Sequence, residues 1–284
     1  MSGATGGVLR LPRSIRALAA ILGAYAAVAI LAPWLAPHNP LHQVLLLRLR
    51  PPLYRSPSGT IYWLGTDDVG RDLLSRVIFG ARASLSVAIL SVSVSLLAGT
   101  PLGLLAGWFR GWPAMIIMRI VDSMLSIPAI LLAVLTVAVL GPGFFDLILV
   151  LGLTRWPRYT RLAYAQTLQI ATRPFIRAAE LAGARTGRIL RRHVLPNIAG
   201  PLLVLATTEF GLMILFEAGL SFLGLGIQPP YPSWGSIMSD GRQYVGRAWW
   251  MTVFPGVCLF GLVLTVNLLG DRLRDHLDPR SAYR

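Results

Sequence analysis

Nine arginines fall between Arg155 and Gly200, at 155, 158, 161, 173, 177, 185, 188, 191 and 192, and Glu180 is the one acid among them. A guanidinium group is permanently charged and supplies hydrogen-bond donors, not a nucleophile. The chemistry open to this stretch is therefore docking. His193, the one histidine outside the first loop and the tail, stands beside Arg191 and Arg192 with no nucleophile or metal constellation around it. His38, His42, Asp67, Asp68 and Asp72 are potential metal ligands, but no tight spacing joins the histidines to the acids, so no metal site is expected. Asp122, Glu209 and Glu217 lie in or near apolar runs. A carboxylate there must meet water, an arginine or a proton, and it either packs as a hydrogen-bonded residue or lines a cavity. All three are candidates for a translocation path. No catalytic residue is expected.

The elements that hold these groups are membrane spans. The chain has 284 residues, 55% hydrophobic and only 13% charged, with a mean hydropathy of +0.63. Several apolar runs are long enough to cross about 30 Å of hydrocarbon. The 26 basic residues are all arginine. Without lysine the chain can form neither a Schiff base nor a phosphate-binding loop of the G-x-x-x-x-G-K-[ST] type. The net charge of +14 is explained by arginines flanking spans and meeting anionic headgroups of the lipid bilayer, so no nucleic-acid partner is expected. Cys258, the single cysteine, has no partner for an internal disulfide and is expected as a small buried hydrophobe.

An uncleaved first span is expected within residues 1–36, ending at Pro33-Trp-Leu-Ala-Pro37. An extracytoplasmic loop, 37–82, follows. In it Thr66 or Asp67 is expected to cap a helix whose first turns carry Asp68 and Asp72. A second span covers 83–109, with Gly99, Gly103 and Gly107 four apart on one face for close helix packing and Pro101 as a kink. A third covers about 114–140; its Arg119 and Asp122 can pair along the helix, either beside the bilayer at its cytosolic end or facing a polar cavity. A fourth covers 147–168, a fifth 201–222, and a sixth about 249–270 with Pro255-Gly256 as a kink; residues 271–284 form a tail. Between the fourth and fifth, Pro174 can start a helix and Leu195-Pro196-Asn197 closes the basic segment, predicting a pair of short basic helices outside the bilayer. Six spans place both termini on one side. That side receives eighteen arginines and the other eight, which puts the termini and the basic segment in the cytoplasm.

Ala178-Ala179, Gly183, then His193 and Leu195-Pro196 resemble, in spacing, the cytoplasmic "EAA" loop of the permease subunits of ABC importers. Leu64-Gly65-Thr66-Asp67-Asp68-Val69-Gly70-Arg71-Asp72-Leu73-Leu74-Ser75-Arg76 is similar to the periplasmic entry segment of the dipeptide, oligopeptide and nickel permeases. Leu220 to Gly226, Pro232-Ser-Trp-Gly235 and Leu269 to Asp275 with Asp278-Pro279-Arg280 resemble their C-type subunit. The resemblance implies an all-α polytopic fold, the six-helix type I importer permease, whose body is 83–270 with a coupling segment at 174–197. It implies import of di- or oligopeptides by alternating access, with nickel or another small solute as the alternative. It also implies a second permease subunit, two ATP-binding subunits that carry ATP and Mg2+, and an extracytoplasmic solute-binding protein. Arg177, Ala178, Ala179, Glu180, Gly183, His193, Leu195 and Pro196 would then couple to the ATPase. In the family the position of Arg177 usually carries a glutamate; here an acid stands at Glu180 instead. Gly65, Thr66, Asp67, Gly70, Arg71 and Asp72 would form the extracytoplasmic motif.

Overall fold

The computed structural model describes residues 12–277. The expected features at Arg10 and at Asp278-Pro279-Arg280 lie outside the described residues. Helix α1 (Arg13–Ile30) leads into a single turn, α2 (Ala32–Leu35), whose Pro33 sits at the helix start where a missing N–H costs nothing. The loop that follows folds on itself through a 3-10 turn at Leu45–Leu47 and a small antiparallel ribbon, β1 (Tyr54–Arg55) and β2 (Ile61–Tyr62), in which Tyr54 pairs with Tyr62.

Helix α3 (Leu73–Phe109) starts inside the segment read as loop. Its N-cap is Asp72, which accepts hydrogen bonds from the Ser75 amide at 2.9 Å and the Ser75 hydroxyl at 2.6 Å. The expected caps, Thr66 and Asp67, bond within the loop instead. The helix continues through Pro101 to Phe109. Next come α4 (Gly111–Leu125) and α5 (Ala129–Leu140), bent by 90° at Ser126–Pro128. The expected third span is thus broken, because Pro128 disfavours the helical conformation in the residue before it and lacks an N–H to continue the ladder. Helix α6 (Phe144–Ile170) packs along α3, and α7 (Pro174–Leu181) branches from its end.

Helix α8 (Thr186–Ile189) is not a separate basic helix. It continues through a π-helical turn, Leu190–Val194, into α9 (Leu195–Phe222), so a helical rod runs from Thr186 to Phe222. Leu195-Pro196 does not close the segment: Pro196 falls at the start of α9, where the wider π turn accommodates its missing donor. A short α10 (Trp234–Gly241), held by a reciprocal cap between Ser233 and Ser236, precedes α11 (Trp250–Leu277).

Four helical stretches, Arg13–Ile30, Leu73–Phe109, Thr186–Phe222 and Trp250–His276, are apolar and long enough to cross a membrane; α4 with α5 makes a fifth, broken one. Helix α6, at about 1.5 Å per residue, has ample length, but Arg155, Arg158 and Arg161 interrupt its apolar run. One apolar core joins α3, α6, α9, α10 and α11 around Leu73, Leu147, Met213, Trp234 and Leu262. A second, smaller core joins Tyr159 and Ala163 of α6 to Ile176 of α7, Ile189, Val194, and Ile198 of α9. That second core fixes the basic segment to the spans.

Candidate functional site

The basic segment owes its shape to its chemistry. Pro174 stands at the first position of α7, as its place in the sequence predicts. Gly183, at φ +77°, ends the helix: its amide donates to the Glu180 carbonyl at 2.9 Å and the Ala184 amide to the Ala179 carbonyl at 3.0 Å. These paired bonds satisfy the last carbonyls of α7 and require a left-handed residue at 183. Among the described residues, nothing lies within 4 Å of the position of a Gly183 Cβ. The glycine is therefore needed here for its backbone conformation, while its outer side is open.

Ile176 and half-buried Ala179 face the smaller core. Phe175, Arg177, Ala178, Glu180, Leu181 and Ala182 are exposed, with Leu181 at 91%. A leucine so exposed at the end of a well-capped helix is an apolar surface without cover in this chain. His193 is half-buried in the π turn, and its carbonyl accepts from the Asn197 side chain. Leu195 is half-buried and Pro196 exposed on the rod that leads from α8 into α9. The segment is thus a short presented helix, α7, tied at one end to α6 and at the other to α9.

The glycine stripe sits where α3 meets α6. A Cβ at Gly99 would strike the Trp156 carbonyl, one at Gly103 would lie 2.6 Å from the Ala163 Cβ, and one at Gly107 2.6 Å from the Thr167 Cβ. Thr160 Oγ1 donates to the Gly99 carbonyl at 2.9 Å. The small residues let the backbones of α3 and α6 approach closely along this stripe.

The acids in the apolar runs all find partners. Glu209 of α9 is fully buried and accepts from Arg155 Nε at 2.9 Å and from Arg158 Nη1 at 3.0 Å. Arg155 also lies over the Phe216 ring, 5.0 Å from its centroid. Glu217, also fully buried, accepts from Ser84 Oγ at 2.7 Å and Ser221 Oγ at 2.8 Å. Asp122 does not pair with Arg119. It meets Arg161 of α6, against which α4 packs.

Outside the spans, the segment 65–76 forms a charged knot. Asp67, fully buried, accepts from the Arg71 amide at 2.8 Å, from Arg71 Nε at 2.6 Å and from the Arg76 guanidinium. Arg76 reaches Asp240 of α10 at 3.2 Å, and Trp250 of α11 donates to the Thr66 carbonyl at 3.1 Å. Gly65 and Gly70, at φ +80° and +79°, let the loop backbone lie against Arg50 and Val44. His38 Nδ1 stands 3.5 Å from Asp72 and the ring stacks on Tyr62. Burial, then Asp72, push the Tyr62 hydroxyl above its ordinary range. The motif clamps the loop to the starts of α3 and α11 and to the end of α10.

Residues 99–283 match the family model described as binding-protein-dependent transport system inner membrane component. The chain belongs to this family. It is 45% identical over 252 residues to the di/tripeptide transport system permease protein DppC of Pseudomonas aeruginosa, covering 89% of this chain and 83% of the relative. It is likewise 45% identical over 253 residues to the dipeptide transport system permease protein DppC of Escherichia coli K12, covering 89% and 84%. Among solved structures, the inward-facing MetNI methionine ABC transporter matches with a TM-score of 0.59 at 23% identity, over 72% of this chain and 98% of that one. That likeness establishes the fold.

For a member of this family, sequence reasoning missed the Arg155–Glu209–Arg158 cluster. Its signal was present: two arginines three apart in a mostly apolar helix, and an acid in a second one. In the sequence, Arg155 and Arg158 read as part of the docking stretch and of the topological charge bias, not as an ion pair with Glu209. The serine partners of Glu217 and the π turn left no comparable mark.

Proposed function

We propose that this chain is one permease subunit of an ATP-driven importer of di- or oligopeptides in the inner membrane, working by alternating access. Its partners would be a second permease subunit, two ATP-binding subunits holding ATP and Mg2+, and an extracytoplasmic solute-binding protein. The observation that carries this reading is α7: a capped helix with an uncovered Leu181 at its tip, joined directly to α6 and α9. Seated in a groove of an ATPase, it would pass that subunit's rigid-body motion into both helices. The stripe at Gly99, Gly103 and Gly107 would carry the motion on to α3. The names of the relatives support a peptide cargo over nickel.

In this reading α6 is also a span, the fourth in chain order, with Arg155 and Arg158 paired to Glu209 and Arg161 to Asp122, and both termini and α7 face the cytoplasm. The knot at Asp67, Arg71 and Asp72 faces the binding protein. Glu209, Glu217 and Asp122 line or brace the path between the two permease halves.

The test is reconstitution of the complete importer in proteoliposomes. Stimulation of ATP hydrolysis and uptake by peptide-loaded binding protein is the expected result. Stimulation by nickel-loaded protein alone, or by neither, would reject the peptide assignment. A cysteine at position 190 that reacts with an impermeant reagent added from outside would reject the topology.

A further inference from the structure

The arginines of α6 are not fully neutralised. Arg161 has Asp122, but Arg155 and Arg158 share the single carboxylate of Glu209. One positive charge is left over, beside a helix midpoint where uncompensated charge is costly. The two arginines differ in exposure. The Arg155 side chain is 6% exposed and braced over Phe216, whereas that of Arg158 is 45% exposed. Arg158 gives only Nη1 to Glu209; among the described residues, Nε and Nη2 have no protein partner.

Arg158 also lines a cavity of about 320 Å3, together with Thr154, Arg155 and the bend Ser126–Pro128. Helix α5 begins at this bend with Pro128 as its N-cap and no side chain capping it, and its first residue, Ala129, lines the same cavity. A forked cation, a surplus positive charge and uncapped amides all favour one ligand chemistry, a carboxylate.

We propose that this cavity, with Arg158 as its specificity-determining residue, holds the C-terminal carboxylate of the transported peptide. The proposal rests on the peptide-import reading. Glu209 and Arg155 act as positioning residues: Glu209 holds one edge of the Arg158 guanidinium, and Arg155 completes the charge surplus. A free carboxylate binding there neutralises the site, and a C-terminal amide does not.

The test uses the complete importer in lipid nanodiscs without binding protein, with the dipeptide Ala-Phe and its C-terminal amide followed by ligand-observed NMR. The expected result is a preference for the free acid of about tenfold, the scale of one charge-assisted hydrogen bond. R158Q should bind the acid as weakly as the amide, while R158K keeps the preference. Equal binding of acid and amide by the wild-type complex overturns the proposal, as does an acid preference that survives R158Q. A carboxylate from the neighbouring permease chain is the other source of such an anion. It predicts weakened assembly in R158Q and no acid preference in the wild type, which also rejects the subsite. If R158Q does not assemble, R158K decides: equal binding of acid and amide by that variant counts against the site. Peptide-stimulated ATP hydrolysis, measured with binding protein, separates the two levels, since its absence rejects the import reading and its presence without an acid preference rejects only the subsite.

Discussion

Arg155 Nε and Glu209 Oε2 meet at 2.9 Å between two helices, with both side chains withdrawn from solvent. Neither could be placed there alone, because an unpaired buried charge costs far more than the pair returns. Glu209→Ala should therefore destabilise the assembled complex by about 3 kcal/mol. Replacing Arg155 and Glu209 together by leucine should cost less than Glu209→Ala. Thermal unfolding of the two purified variants checks this, and a double variant less stable than Glu209→Ala would argue against a coupled pair.

Helix packing at the glycine stripe gives a second expectation. Gly103→Val must displace Ala163, whose Cβ lies 2.6 Å from the new side chain. A cost of about 1–3 kcal/mol is expected, the usual range for overpacking. Gly23→Ala, with nothing within 4 Å, should leave the melting temperature unchanged. Equal tolerance at both positions would mean that α3 and α6 are not in tight contact.

At Gly183 the effect should separate folding from coupling. A β-branched residue at φ +77° carries roughly 1–2 kcal/mol of backbone strain and unravels the α7 cap. Gly183→Val should insert in the membrane at wild-type levels and lose most peptide-stimulated transport, while Gly183→Asn, which tolerates the left-handed region, should retain more of it. Wild-type transport by the valine variant would remove α7 from the coupling route.

Arg177 is exposed on α7 and forms no ion pair with Glu180. If it meets an acid on the ATPase, Arg177→Glu should uncouple ATP hydrolysis from transport, and a reciprocal exchange on the ATPase should restore it. Coupling indifferent to the exchange would show that residue 177 takes no part in a specific pairing.

The charged knot supplies a pH dependence. Burial, then the neighbouring Asp67 and Asp240, hold the Asp68 carboxyl above its ordinary range, against the opposing pull of Arg71 and Arg76. A carboxyl raised in this way binds its proton more tightly in the fold than in the unfolded chain. Its contribution to stability is full below the unfolded value and is lost as pH rises through the folded one. Asp68→Asn should therefore melt higher than wild type at pH 7, with the difference vanishing below about pH 4. A variant that melts lower at pH 7 would show that the Asp68 charge is needed by Arg71.

Apolar run length was legible in the residues because it answers to the bilayer, a solvent that acts on each segment separately. The glycine spacing at 99, 103 and 107 and Pro174 at the head of α7 were legible for a similar reason, since helical period and local backbone preference need no distant partner. Three features depended on distant segments. The packing of α4 against α6 decided that Asp122 meets Arg161 and not Arg119. The approach of α9 to α6 decided that Glu209 meets Arg155 and Arg158. The π turn at Leu190–Val194 decided that the basic segment runs on into α9 and does not end at Leu195-Pro196. Run length, the helical period of the glycine stripe and the proline start of α7 were thus determined by the sequence alone. Which charge neutralises which was decided only by the tertiary structure, because that depends on the angles at which helices far apart in the chain cross.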